Sequence, residues 1–290
     1  MPKAQVNGVE LYYEVHGDGP AVVFAHGAGG NHLSWWQQVP VFARRYRCIT
    51  FDHRGFGQSG DVPNGPGSRA FVEDLRHLLD HLQIDRVALV AQSMGGRTCL
   101  GFTLEHPDRV RGLVMADTTG GFGDARMSQL RAENEAALAG LNAPPRTYAR
   151  HFPQEQPAQA FLYEQIRALN PPRQEVPAPG PTVEQVRALA TPTLLIVGEH
   201  DVIAPPELMK MFQSYVPHAR LAEVAGAGHS VYFEKPAEFN RLVLDFFAGS
   251  GTTGAVASAL GRDAVLVDHN PEAVAVMRER MPHAHILPAG

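Results

Sequence analysis

A serine hydroxyl is a weak nucleophile near neutral pH. It attacks a carbonyl only when a base takes its proton and a third group orients that base. Ser93 lies in RVALVAQSMGGRTCL, between an apolar run that reads as a strand and the start of a helical stretch. Ala91 stands two residues before it and Gly95 two after. A sharp strand-to-helix turn crowds those two positions, so their side chains must be small. Such a turn lifts the hydroxyl out of a sheet and aims a helix N-terminus at the reacting carbonyl. The usual pattern is G-x-S-x-G, and alanine at 91 is the mildest departure from it. Serine is also a favoured helix N-cap, so the turn alone does not make a nucleophile.

Two further segments supply partners. TLLIVGEHDVIAP ends an apolar run at Gly198 and offers Asp201 on the loop beyond, while LAEVAGAGHSVYFEKP ends one at Val224 and offers His229 between small residues. In the order Ser93, Asp201, His229, each residue follows a strand, as expected when all three sit at the carboxyl edge of a parallel sheet. His229 is the expected base and Asp201 the group that fixes its tautomer, with Glu199 and His200 as rivals a short step away. An oxyanion needs two fixed backbone N–H groups. The expected donors are Met94, directly after the serine, and Ala28, in the glycine-rich run His26-Gly27-Ala28-Gly29-Gly30. Trp35, Trp36 and Phe56 are candidate pocket walls, although large apolar side chains more often build core.

These loops need a rigid sheet. Strands are expected at Val9–Val15, Ala21–His26, Arg47–Asp52, Arg86–Gln92, Gly112–Asp117, Thr193–Gly198 and Arg220–Val224. Helices are expected at Phe71–Leu82, Gly95–Glu105, Pro206–Tyr215 and Pro236–Phe247. This rhythm predicts an α/β fold with a mostly parallel sheet covered on both faces. It stops between 118 and 190, where helical stretches at Met127–Leu141 and Ala158–Leu169 and the extended run PPRQEVPAPGP predict an inserted cap. The core is therefore expected in 1–117 and 191–247. With 44% hydrophobic residues the chain can bury a large core, and a net charge of −5 without like-charge blocks offers no phosphate-seeking face. No nucleic-acid or membrane partner is expected. The start of the chain lacks an apolar signal core, which predicts a cytoplasmic protein. Cys48 and Cys99 lie in apolar surroundings and read as buried free thiols.

The motifs HGAGG, DHRGFGQS, AQSMGG, GEHDVIAP and GAGHSVYFEKPAEFN resemble those of the α/β-hydrolase superfamily over about residues 4–247. The resemblance implies an α/β-hydrolase fold in which Asp52, Arg54, Gly55, Gly57 and Ser59 are structural and the cap shapes the pocket. It implies a serine hydrolase with an acyl-enzyme intermediate, since relatives with other chemistry at the elbow, such as dehalogenases, carry Asp there. A small carboxylic ester is the expected substrate. Enol-lactones and carbon–carbon bonds are the alternatives, because fold alone does not choose. No cofactor and no metal is expected.

The chain continues past this plan as LVLDFFAGSGTTGAVASALGRDAVLVDHNPEAV. An apolar run, a glycine-rich turn, a helix, a strand and Asp268 follow in the order of a nucleotide-type βαβ unit. The segment resembles the S-adenosylmethionine motif of amino-methylating DNA methyltransferases. Their catalytic D/N-P-P-Y/F motif has no counterpart here, since Asn170-Pro171-Pro172 is followed by Arg173. The two resemblances compete for LVLDFF, needed as a helix by one and as a strand by the other. Apolar residues at Phe239, Leu242, Val243 and Phe246 favour the helix. Residues 248–290 are then expected to be an appendage whose strand adds to an edge of the hydrolase sheet or pairs with a second copy of the chain. A cofactor-binding or interaction module on a hydrolase scaffold is the reading of another class.

Overall fold

Hydrophobic runs too short for helices and too continuous for a half-exposed sheet dominate the first half of the chain, and they build buried strands. The computed structural model describes residues 2–139, 146–172 and 178–249. Its eight strands are β1 (Lys3–Val6), β2 (Val9–His16), β3 (Ala21–Ala25), β4 (Arg47–Phe51), β5 (Val87–Gln92), β6 (Val110–Ala116), β7 (Thr193–Gly198) and β8 (Arg220–Val224). They form one sheet in the order β1-β2-β4-β3-β5-β6-β7-β8. The β1–β2 and β2–β4 pairs are antiparallel, and every later pair is parallel.

The first hairpin was not foreseen. Asn7 and Gly8 both adopt positive φ, 45° and 77°, and turn β1 back onto β2. Asn-Gly between two apolar runs is the signal for such a turn. The predicted strand ending at Asp117 stops one residue earlier, because Asp117 has a left-handed backbone at φ 55°.

Helices α1 (Val39–Phe42), α2 (Phe71–His81), α3 (Gly95–Glu105), α8 (Pro206–Tyr215) and α9 (Val231–Glu234) connect the strands. One face of the sheet points Val23, Leu89, Ala91, Met115 and Val197 into a cluster with Leu75 and Leu79 of α2, Phe102 of α3 and Phe212 of α8. On the other face Phe24 meets Trp35 at 5.2 Å and Phe42 of α1 at 5.4 Å between ring centroids. Between β6 and β7 run α4 (Ala125–Ala139), α5 (Phe152–Glu155), α6 (Pro157–Ala168) and α7 (Val183–Arg187), with no strand among the described residues there.

The chain divides into two compact units, Met1–Pro236 and Ala237–Gly290. In the second unit the described residues form α10 (Pro236–Gly249), so LVLDFF is helical. The glycine loop and the strand at 263–268 lie outside the described residues. Among the described residues no helix is long and apolar enough to cross a membrane.

Candidate active site

Ser93 directly follows β5 and precedes the first turn of α3, with φ 49°. A left-handed backbone costs a non-glycine residue roughly 1–2 kcal/mol. The site keeps it because both flanks are fixed. Ala91 pairs with Ala25 on one side and Met115 on the other, and the Ser93 N–H donates to Ala116 O at 3.0 Å. A Cβ on Gly95 would run into the carbonyl oxygens of Ala25 and His26. The elbow is therefore strained with alanine at 91.

The hydroxyl reaches a base. Ser93 Oγ lies 2.8 Å from His229 Nε2. His229 Nδ1 lies 2.8 Å from Asp201 Oδ2 and 3.0 Å from Oδ1. Asp201 follows β7, and its Oδ1 also accepts the N–H groups of Ile203 at 2.8 Å and Ala204 at 2.9 Å. The rivals point elsewhere. Glu199 accepts the Gly226 N–H at 2.9 Å, and His200 is exposed beside His151.

Two buried acids hold these loops. Asp117, at the end of β6, accepts the N–H of Gly198 on one oxygen and of Val231 on the other, at 3.1 and 3.2 Å. It thereby joins the loop that carries Asp201 to the loop that carries His229. Burial, and then the charge of Asp201, push the Asp117 carboxyl well above the ordinary range. Glu234 accepts N–H groups of Gly228, Ser230 and, from the insert between β6 and β7, Ala149. Burial raises it too, against those hydrogen bonds. The sequence reading missed both. Asp117 was visible only as the last residue of a strand, and Glu234 only as part of a motif.

The expected oxyanion donors, Met94 and Ala28, lie just beyond the ends of β5 and β3. Met94 is the N-cap of α3, so its N–H is one that a helix leaves without an intrahelical acceptor. Ala28 lies on the exposed tip of the His26–Gly30 loop. A Cβ on Gly27 would collide with the Gln92 side chain, so the loop packs directly on the end of β5. Asn170 anchors the loop from the insert between β6 and β7: its amide donates to Gly29 O and Gly30 O at 3.3 and 3.1 Å, and its oxygen accepts the Gly57 N–H at 3.0 Å. The Asn-Pro-Pro run thus serves as a brace.

A cavity of about 340 Å³ opens beside Ser93 and His229, lined also by Met94, Asp117, Arg97, Arg131, Thr118, Thr119 and Ile203. Trp35 and Phe56 are corrections to the expected pocket. Trp35 is enclosed between Phe24 and Tyr232, and Phe56 is enclosed beside His26, leaving neither a surface for a ligand. Aromatic clusters bury such rings more completely than a cavity wall does. Trp36 is 41% exposed against Phe233 and is not among those lining residues. The remaining family motif is structural. Asp52 accepts the His32 and Gln58 N–H groups, Ser59 donates to Asp52 O, and Arg54 forms a buried ion pair with Asp74. Cys48 and Cys99 are buried and free, and burial pushes the Cys48 thiol up to about 12.

A serine, a histidine and an aspartate in mutual contact at the ends of β5, β8 and β7 form the array on which the comparisons with known proteins turn. The family described as alpha/beta hydrolase fold matches residues 20–161 and 128–236. The chain belongs to the α/β-hydrolase family. A Mycobacterium tuberculosis relative bearing the provisional name non-heme bromoperoxidase is 31% identical over 83% of this chain and 98% of its own. The 3-oxoadipate enol-lactonase 2 of Acinetobacter baylyi is 29% identical over 81% of this chain and 92% of its own. Among solved structures, the enol-lactonase from Burkholderia xenovorans LB400 superposes with a TM-score of 0.69 at 24% identity, over 85% of this chain and 99% of that one. At that identity the likeness speaks for the fold. A second family, described as DNA methylase, matches residues 231–279 alone. Residues 231–279 of this α/β-hydrolase are therefore similar to a different family.

Proposed function

We propose that the protein is a serine hydrolase that cleaves small carboxylic esters through an acyl-enzyme. The observation that carries this reading is the 2.8 Å contact of Ser93 Oγ with His229 Nε2, backed by His229 Nδ1 on Asp201. Ser93 Oγ attacks the ester carbonyl as His229 takes its proton, and the N–H groups of Met94 and Ala28 receive the developing oxyanion. His229 then protonates the leaving alcohol, and a water repeats the sequence to free the acid. Asp201 keeps the Nδ1 proton in place and stabilises the imidazolium.

A second reading uses the same residues on an enol-lactone or an activated carbon–carbon bond. It is supported by relatives named 3-oxoadipate enol-lactonase and 2-hydroxy-6-oxo-6-phenylhexa-2,4-dienoate hydrolase, each matched over 81% of this chain. Hydrolysis of short p-nitrophenyl esters tests the first reading. The wild-type protein is expected to turn them over and to be labelled at Ser93 by a fluorophosphonate, and Ser93→Ala is expected to do neither. Turnover by Ser93→Ala removes Ser93 from the chemistry. Wild-type activity on enol-lactones alone moves the assignment to the second reading.

A further inference from the structure

The cavity beside Ser93 contains two guanidinium groups that the ester chemistry does not use. Arg97 is in the first turn of α3, and Arg131 is on α4, in the insert between β6 and β7. Their hydrogen-bond acceptors are neutral. Arg97 donates to Ala178 O at 3.1 Å, and Arg131 donates to Thr119 Oγ1 at 2.8 Å and Phe122 O at 3.1 Å. Among the described residues no carboxylate pairs with either of them, although the chain carries 30 acidic residues against 25 basic ones. Arg131 is half-buried. Burial, followed by the positive charge of Arg97, holds its guanidinium below the ordinary value.

Asp117 lines the same cavity, but its two oxygens are taken by the N–H groups of Gly198 and Val231. Two like charges facing one cavity with no carboxylate paired to either repel each other, and an incoming anion relieves that repulsion. A guanidinium presents a planar fork of donors matched to a carboxylate. Gly121 and Gly123 keep room for both groups, since a Cβ at either would press on a guanidinium nitrogen of Arg97 or Arg131. Ile203, Ala204 and Leu208 supply apolar wall to the same cavity. From this arrangement we infer that the substrate carries a free carboxylate, held by Arg97 and Arg131 while its acyl group meets Ser93. The inference rests on the hydrolase reading for the acyl group, but the anion subsite is a separate physical claim.

Two measurements separate the claims. Calorimetry of adipate against its neutral diamide, adipamide, reads the subsite without catalysis. Adipate is expected to bind the wild-type protein at least tenfold more tightly, and Arg97→Gln is expected to erase that difference. Arg131→Gln is expected to do the same, and Arg131→Lys, which keeps the charge should the loss of the Thr119 contact unfold the loop, to restore part of it. Kinetics with monomethyl esters of dicarboxylic acids against methyl esters of matched monocarboxylic acids read the substrate class. A preference of tenfold or more in kcat/KM for the carboxylated series, reduced at least tenfold in Arg97→Gln, supports the inference. Equal binding of adipate and adipamide, or turnover of both ester series without preference, overturns it and leaves the hydrolase reading standing. Selective adipate binding with no turnover of any ester sinks the ester reading and keeps the subsite.

Discussion

At the scale of single residues, Asp201 and Asp117 are both buried acids with opposite tasks. Asp201 spends its oxygens on His229 Nδ1 and two loop N–H groups. Asp201→Asn keeps the shape but favours the wrong imidazole tautomer. Its kcat on a p-nitrophenyl ester is expected to fall by about three to four orders of magnitude. A loss below tenfold would take Asp201 out of the relay. Asp117 accepts one backbone N–H on each oxygen, so Asp117→Asn must turn an NH₂ toward a donor. The expected cost is about 1–3 kcal/mol of stability in urea unfolding near pH 4. The pH dependence has a definite sign. The Asp117 pKa is raised in the folded state, so that state holds the proton more tightly than the unfolded chain does. The associated stability is full below the ordinary aspartate pKa and is lost as pH rises through the folded value. The stability gap between wild type and Asp117→Asn is thus expected to shrink from pH 4 upward. A gap that widens would mean the folded-state pKa is not raised.

At the scale of elements, what could be read from the sequence was local. Thr193–Gly198, Arg220–Val224, Gly95–Glu105 and Pro206–Tyr215 have the expected bounds, because apolar runs with glycine or proline at their ends carry their own boundaries. Ser93, Asp201 and His229 could be read because each stands in a loop with a recurring pattern. Arg97, Arg131, Asp117 and Glu234 could not, since their meaning lies in what faces them across the fold. Trp35 and Phe56 were misassigned for the same reason: a ring's type does not say whether a cavity or another ring is its neighbour. Ala91 marks the limit of motif reading. Glycine there would restore the usual pattern but weaken a central strand, so Ala91→Gly is expected to lose about 1 kcal/mol of stability with kcat within a fewfold of wild type. A large gain in kcat would show instead that alanine holds the elbow away from its best geometry.

At the scale of the whole molecule, Ser93, Asp201 and His229 all lie within Met1–Pro236, while the methylase-like match reaches from 231 to 279. Since α10 turns LVLDFF into helix, the glycine-rich segment lacks the leading strand that a nucleotide-type unit requires. Calorimetry of the full chain with S-adenosylmethionine is expected to show no micromolar binding. Micromolar affinity would make the tail a working cofactor site. The left-handed backbone of Ser93 bears on how this protein responds to selection. Glycine suits that backbone better than serine does, so Ser93→Gly is expected to melt about 2–4 °C higher while hydrolysing nothing. A library screened for heat resistance alone would therefore enrich chains that have discarded their own nucleophile, and only a screen coupled to turnover would keep it.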